Sequence, residues 1–160
     1  MDTQYKIKTL SQAQSQREMW REEGLKVGFT NGCFDLLHPG HVSYLEASKS
    51  LVDVLIVGLN SDSSVRELKG AERPVQEGHG RARVLAGLAA VDIVVEFEEL
   101  TPLNLITTLQ PDVLTKGADY SIDEVVGAAF VLEHGGSVEL IPLVAGHSTT
   151  ALIAKNNGKK

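Results

Sequence analysis

Two histidines separated by a Pro-Gly pair, His38-Pro39-Gly40-His41, close the segment that begins Thr30-Asn31-Gly32-Cys33-Phe34-Asp35. An apolar run, Leu25 to Phe29, leads into this segment, and an amphipathic stretch follows it. A strand that runs into a histidine-bearing turn and then a helix suits phosphate binding. Backbone N–H groups at a helix N-terminus attract anions, and two imidazoles add donors to the same oxygens. Gly32 allows a ligand to approach the backbone closely. Two other readings use the same residues. A zinc site is weakly supported, because only two ligands are visible and no further Cys/His pair stands at metal spacing. A Pro-Gly turn flanked by solvated histidines is the plain structural alternative, and the four residues alone do not exclude it.

The surrounding elements must position this turn. Residues 10–23, with Leu10, Ala13, Met19 and Trp20 among polar neighbours, read as a leading helix stopped by Gly24. Residues 25–30 read as the first strand and 39–50 as a helix that buries Val42, Leu45 and Ala47. The β-branched run 52–59 is expected to be a parallel strand covered on both faces. Asn60-Ser61-Asp62 then reads as a helix cap. Helices are expected over 81–90, from Thr101-Pro102 onward, over 122–133 and over 148–155. Strands are expected over 91–97, 112–115 and 137–141. Apolar strands alternating with helices mean an α/β fold, a doubly wound parallel sheet of five strands with helices on both faces. Ligands of such sheets sit beyond the strand C-termini, at the point where strand order reverses. The His38–His41 turn lies just beyond the first strand.

Composition narrows the partners. The 160 residues fit one domain, divided into a leading helix in 1–24 and a core in 25–160. The chain is 42% hydrophobic and 22% charged, with a net charge of -6. That balance argues against nucleic-acid binding through a general positive field, so an anionic ligand needs local donors. The single cysteine, Cys33, leaves no internal disulfide and suggests a reducing compartment. No run is long enough to span a membrane, and residues 1–16 lack the apolar core of a secretion signal. A cytoplasmic location and no membrane partner are the expectations.

The segment TNGCFDLLHPGH resembles the signature of the HxGH-type nucleotidylyltransferase superfamily. Four further blocks agree with it in order and spacing. They are Val57-Gly58-Leu59-Asn60-Ser61-Asp62, then Lys69-Gly70 with Arg73-Pro74-Val75, then Lys116-Gly117-Ala118-Asp119-Tyr120, and last Gly146-His147-Ser148-Thr149-Thr150. The resemblance implies a Rossmann-like sheet and a homodimer or larger assembly, to which Met19 and Trp20 of the leading helix could contribute. Cytidylyltransferases of this type carry an Arg in the block RTxGxST where this chain has Leu143. The Lys116 block and Arg-Pro-Val resemble instead the D-glycero-β-D-manno-heptose 1-phosphate adenylyltransferases, in a form without the sugar-kinase domain to which they are often fused. The implied reaction moves AMP from ATP to a sugar 1-phosphate, giving an ADP-sugar for lipopolysaccharide core synthesis and pyrophosphate. A cytidylyltransferase for glycerol 3-phosphate or a related polyol phosphate, and a non-catalytic nucleotide-sensing domain, are the alternatives.

The resemblance also assigns residues. His38, His41, Lys69 and Arg81 are the expected catalytic set. Thr30, Asn31, Gly32, Cys33, Phe34, Asp35, Gly40, Ser148, Thr149 and Thr150 are expected around the nucleotide, with Phe34 contributing backbone. Asn60, Asp62, Lys116, Gly117, Asp119 and Tyr120 are expected around the acceptor. Mg²⁺ is expected to accompany ATP, with Asp35 as its one candidate contact and no protein cage. A phosphate monoester is already largely dianionic at neutral pH, its second pKa being about 6, so no general base is required. The sequence departs from the family at Gln76-Glu77-Gly78-His79-Gly80, where a helix with an acidic residue in place of His79 is usual. Glycines disfavour a helix interior by about 1 kcal/mol each, so the helix carrying Arg81 is expected to begin only there or later. His134, beside a Gly-Gly helix stop, is expected as a favourable charge at a helix C-terminus, and His147, next to Ser148, as a candidate nucleotide contact.

Overall fold

The computed structural model describes residues 2–144 and 149–157. Its strands are β1 (Val27–Gly32), β2 (Val54–Asn60), β3 (Ile93–Phe97), β4 (Val113–Gly117) and β5 (Ser137–Ile141). They form one parallel sheet in the order β3-β2-β1-β4-β5. The chain steps outward from β1 to β3, then crosses back to lay β4 on the other side of β1. Strand order therefore reverses between β1 and β4. β1 pairs with β2 along its whole length, from Val27↔Val54 to Gly32↔Leu59. Its register with β4 covers only Gly28↔Val113 and Phe29↔Leu114. Beyond those pairs the two strands part, and a crevice opens at their C-terminal ends, as the doubly wound topology requires.

The helices are α1 (Leu10–Glu22), α2 (Pro39–Lys49), α3 (Asp62–Lys69), α4 (Gly78–Ala86), α5 (Leu103–Leu109), α6 (Ala128–Glu133) and α7 (Thr149–Asn157). Alternate residues of each strand point to opposite faces, so the sheet carries two cores. Phe29, Ile56 and Val95 pack with Ala13 of α1, Leu105 and Ile106 of α5 and Val131 of α6. Leu55, Val57 and Val94 pack with Leu45 of α2 and Ala82 and Leu85 of α4. Trp20 packs against the first core, while Met19 stands 54% exposed beside it. No helix among the described residues is long and apolar enough to cross a membrane.

Several elements depart from expectation for local reasons. β1 begins two residues later than expected and continues through Gly32, which moves the functional turn further from the sheet core. α2 buries Leu45 and Ser48, while Val42 and Ala47 are half-buried. The stretch expected as a helix over 122–133 is two pieces, a 3₁₀ turn (Ile122–Glu124) and α6. Gly127 interrupts them at φ +84, and a Cβ there would lie 2.7 Å from Ile106 Cδ1. The α4 helix begins at Gly78, earlier than expected, and ends at Ala86, short of residue 90. Glycines in a first turn cost less than in an interior. A Cβ on Gly78 would also come within 3.1 Å of Glu96 Oε1 and 3.3 Å of Asp62 Oδ1, so the glycine makes room for an ion pair described below.

Candidate active site

The crevice between β1 and β4 widens into a cavity of about 660 Å³. Its floor comes from the β1 exit, Asn31 to Asp35, and its centre from His38, Gly40 and His41. One flank, beyond β2, carries Asn60, Lys69 and Arg73. The other, beyond β4, carries Lys116, Gly117, Asp119 and Tyr120, with Leu143 at the rim. Thr149 and Thr150, which open α7, also face it.

The turn after β1 is built by Phe34. Its backbone lies in the left-handed region at φ +44, unusual for a bulky residue, and its side chain is buried. Gly32 makes this possible, because a Cβ there would lie 2.9 Å from Phe34 Cε2. The Phe34 ring in turn supports His41, with ring centroids 5.4 Å apart. His38 is the N-cap of α2 in extended conformation, Pro39 occupies the first turn, and the N–H of His41 donates to the carbonyl of His38. Pro at this position is preset for a helix start.

The His38 and His41 rings stack with centroids 3.8 Å apart and planes 21° from parallel. Burial, and then the neighbouring His38, push the His41 imidazole down to about 4, so it is neutral at neutral pH. His41 Nδ1 is buried without a hydrogen-bond partner among the described residues. An anion above the pair would favour the charged imidazole and offset both effects.

Asp35 anchors the loop after α3. Its carboxylate accepts from Arg73 Nε at 2.6 Å and from the N–H groups of Val75 and Gln76 at 2.9 and 3.0 Å. Burial works against its charge, but those backbone bonds and Arg73 outweigh it and hold the carboxyl below the usual range. With both oxygens so engaged, Asp35 has little left for a metal. No cluster of three metal-ligating side chains occurs among the described residues.

Three expected contact residues are placed beneath the cavity rather than in its lining. Arg81 is 1% exposed and donates to the carbonyls of Gln76, Cys33 and Asn60 and to Asp62 Oδ1 at 2.6 Å. It fastens the β1 exit, the β2 exit and α4 together. Asp62 is the other half of that pair. Burial opposes its charge, yet Arg81 and the Gly78 N–H keep its carboxyl below the usual range. Thr30 is fully buried, with its hydroxyl 2.8 Å from Tyr44 Oη and 3.3 Å from the carbonyl of Thr115. This side-chain bridge spans β1 and β4 where their ladder has ended.

The other assigned residues line the cavity, apart from Ser148, which with Gly146 and His147 lies outside the described residues. Lys116 Nζ donates to Asn31 Oδ1 at 3.2 Å and lies 5.2 Å from the Tyr120 ring centroid. Burial pushes its ammonium down, partly countered by Asp119. Cys33 is half-buried, and burial raises its thiol against the pull of Lys69, Arg81 and Arg73. Thr149 Oγ1 donates to the carbonyl of Leu36 at 3.3 Å, tying α7 to the histidine turn. The sequence assigns Tyr44 no role and marks Arg73 only as part of a family block, yet both line the cavity. Tyr44 stands one helical turn after His41, a spacing that shares a face, and Arg73 stands in the Lys-Gly-x-x-Arg-Pro-Val run.

Comparison with known proteins agrees with this geometry. The family model described as cytidylyltransferase-like matches residues 29–154. The bifunctional protein HldE of Caulobacter sp. (strain K31) is 64% identical over 138 residues, which is 86% of this chain and 28% of that protein. The chain therefore spans less than a third of the length of that relative. A lipopolysaccharide core biosynthesis protein from Thermoplasma volcanium GSS1 superimposes with a TM-score of 0.63 at 28% identity, covering 76% of this chain and 98% of that one. The pantoate-beta-alanine ligase of Francisella tularensis shares the fold, with a TM-score of 0.59 at 16% identity over 94% of this chain and 76% of its own. With a family match over most of its length, this chain belongs to the cytidylyltransferase-like family of nucleotidylyltransferases.

Proposed function

We propose that this domain transfers AMP from ATP to D-glycero-β-D-manno-heptose 1-phosphate, releasing pyrophosphate and giving ADP-heptose for lipopolysaccharide core synthesis. The observation that carries the reading is the stacked His38–His41 pair at the strand-order reversal, in a chain 64% identical to part of a protein named HldE. The acceptor's phosphate oxygen would attack the α-phosphorus of ATP. One P–O bond forms, the bond from the α-phosphorus to the bridging oxygen breaks, and that oxygen leaves with pyrophosphate. The nucleophile is already an anion, so the chain's task is to position the two substrates and stabilise charge growing on the phosphate oxygens. In this reading His38, His41 and the first N–H groups of α2 hold the α- and β-phosphates. Lys69 and the threonines opening α7 approach from the flanks. Lys116, Asp119 and Tyr120 contact the remainder of the substrates. Mg²⁺ would arrive as the companion of ATP, and no step is assigned to a protein-held metal.

Pyrophosphate release, measured with ATP or CTP against a panel of sugar and polyol phosphates, tests the assignment. ATP with the heptose phosphate is the pair expected to react. Consumption of CTP alone, with glycerol 3-phosphate or another acceptor, would replace it by a cytidylyltransferase. His41→Ala is expected to lower kcat by roughly 10²–10³, as loss of a transition-state donor does. An unchanged rate in a folded variant would remove the histidine pair from the mechanism.

A further inference from the structure

We propose that Arg73 recognises the phosphate of the acceptor substrate and that Asp35 holds its guanidinium ready for that purpose. The inference rests on the transferase reading above and adds to it a residue of the acceptor subsite.

Arg73 reaches the cavity from the loop after α3, and its side chain is only 17% exposed. An arginine paired with a carboxylate often uses two parallel N–H bonds. Here only Nε is engaged, on Asp35 Oδ2, because the Val75 and Gln76 N–H groups share the same carboxylate. Neither Nη1 nor Nη2 has a hydrogen-bond partner among the described residues, so four donors of a planar fork remain in the wall of the cavity. Asp35's charge is spread over three donor groups, which leaves the guanidinium attractive to a second anion. Such a fork matches phosphate geometry, and arginine loses little hydration on binding it.

The charge pattern of the cavity assigns the anion to the acceptor. Lys69, which also lacks a hydrogen bond or ion pair among the described residues, faces the cavity from the same flank. The opposite flank carries Lys116, whose ammonium is partly balanced by Asp119, together with Glu124 and the apolar side chains of Val126 and Leu143; its net charge is negative, which suits an uncharged base better than a phosphate. The triphosphate occupies the centre, at the histidines. The phosphate on the far side from the base is then that of the second substrate, and Arg73 stands there.

Kinetics of Arg73→Gln and Arg73→Lys test the proposal. Arg73→Gln is expected to raise KM for the heptose phosphate about 10–100-fold, the loss usual for charge-assisted hydrogen bonds, with KM for ATP changed less than threefold. Arg73→Lys should fall between, since a lysine cannot hold Asp35 and fork onto a phosphate together. An unchanged acceptor KM, or a rise in the ATP KM instead, overturns it. If the wild-type protein releases no pyrophosphate from ATP and the heptose phosphate, the adenylyltransferase reading fails by itself. Arg73 is then judged by calorimetry with inorganic phosphate, where the Gln variant should bind at least tenfold more weakly than wild type and equal affinity refutes the role. Should both variants misfold, phenylglyoxal labelling of the wild-type protein decides. Inorganic phosphate should protect Arg73, and labelling at the same rate with and without phosphate would overturn the assignment.

Discussion

The ring of His38 lies 3.8 Å from that of His41, centroid to centroid, in a near-parallel stack that the N-terminal turn of α2 imposes. A proton on one of two imidazoles so close disfavours a proton on the other.

This predicts proton uptake on nucleotide binding. In the free protein His41 titrates at about 4, lowered by burial and then by His38. A polyphosphate favours the charged imidazole and raises that value, so near pH 5.5 binding should draw a proton from solution. Calorimetry in two buffers of different ionisation enthalpy reads the uptake. The difference between wild type and His41→Asn isolates this residue from the titration of ATP itself. Identical uptake in both proteins would refute the coupling.

The same shift sets an acid limit on the free protein. An unfolded histidine titrates near 6.5, and the folded one takes its proton only near 4. Between these values the unfolded chain binds more protons, so the contribution of His41 to stability is intact above about 6.5 and falls as pH drops toward 4. Chemical denaturation at pH 7 and pH 5 should show a loss that is smaller in His41→Asn. ATP should shrink the wild-type loss.

Much of this arrangement was legible in the sequence, and the failures have a common cause. The strands and the histidine turn followed from apolar runs, Pro39 and Gly32, all local signals. Arg81 stands at a basic position of a family motif and is expected to contact phosphate, but in the structure its donors are spent on acceptors of the protein itself. Those acceptors, the carbonyls of Cys33 and Asn60, lie 48 and 21 residues away in the chain. Gly78 and Gly80 suggested a delayed helix, but the space Gly78 leaves belongs to Asp62 and Glu96, again distant in sequence. Thr30 was placed in the nucleotide site by its motif, whereas β1–β4 divergence turns its hydroxyl to Tyr44 and Thr115. Side-chain roles that depend on strand order escape a linear reading.

Arg81 yields a prediction that separates a structural from a catalytic role. Removing it leaves three backbone carbonyls and a carboxylate without their donor, at a position 1% exposed. Arg81→Met should cost about 3 kcal/mol or more, lowering Tm by roughly 6–12 °C for a chain of this size. Arg81→Lys should recover little, because one ammonium cannot reach four acceptors. A lysine variant with wild-type Tm but a collapsed kcat would show instead that Arg81 acts on substrate.

Tyr44 provides the last prediction, for the positioning of His41. It lies one turn further along α2, and its hydroxyl is 2.8 Å from Thr30 Oγ1 and 3.5 Å from Thr115 Oγ1. Thr115 passes a bond on to Ser48 of the same helix. The helix that carries the histidines is thus pinned to β1 and β4 where those strands separate. Tyr44→Phe keeps the ring and removes the pin. It should lower stability by about 1 kcal/mol, the usual worth of a hydrogen bond. A small rotation of α2 moves both imidazoles together, and misplacement of catalytic groups by about 1 Å costs up to about 10²-fold. The expected result is a fall of roughly tenfold in kcat with the acceptor KM nearly unchanged. Thr115→Val should reproduce part of it by removing the second acceptor. If both variants retain wild-type kcat while losing stability, the hydroxyl network serves the fold alone and His41 is held by Phe34 and the helix start.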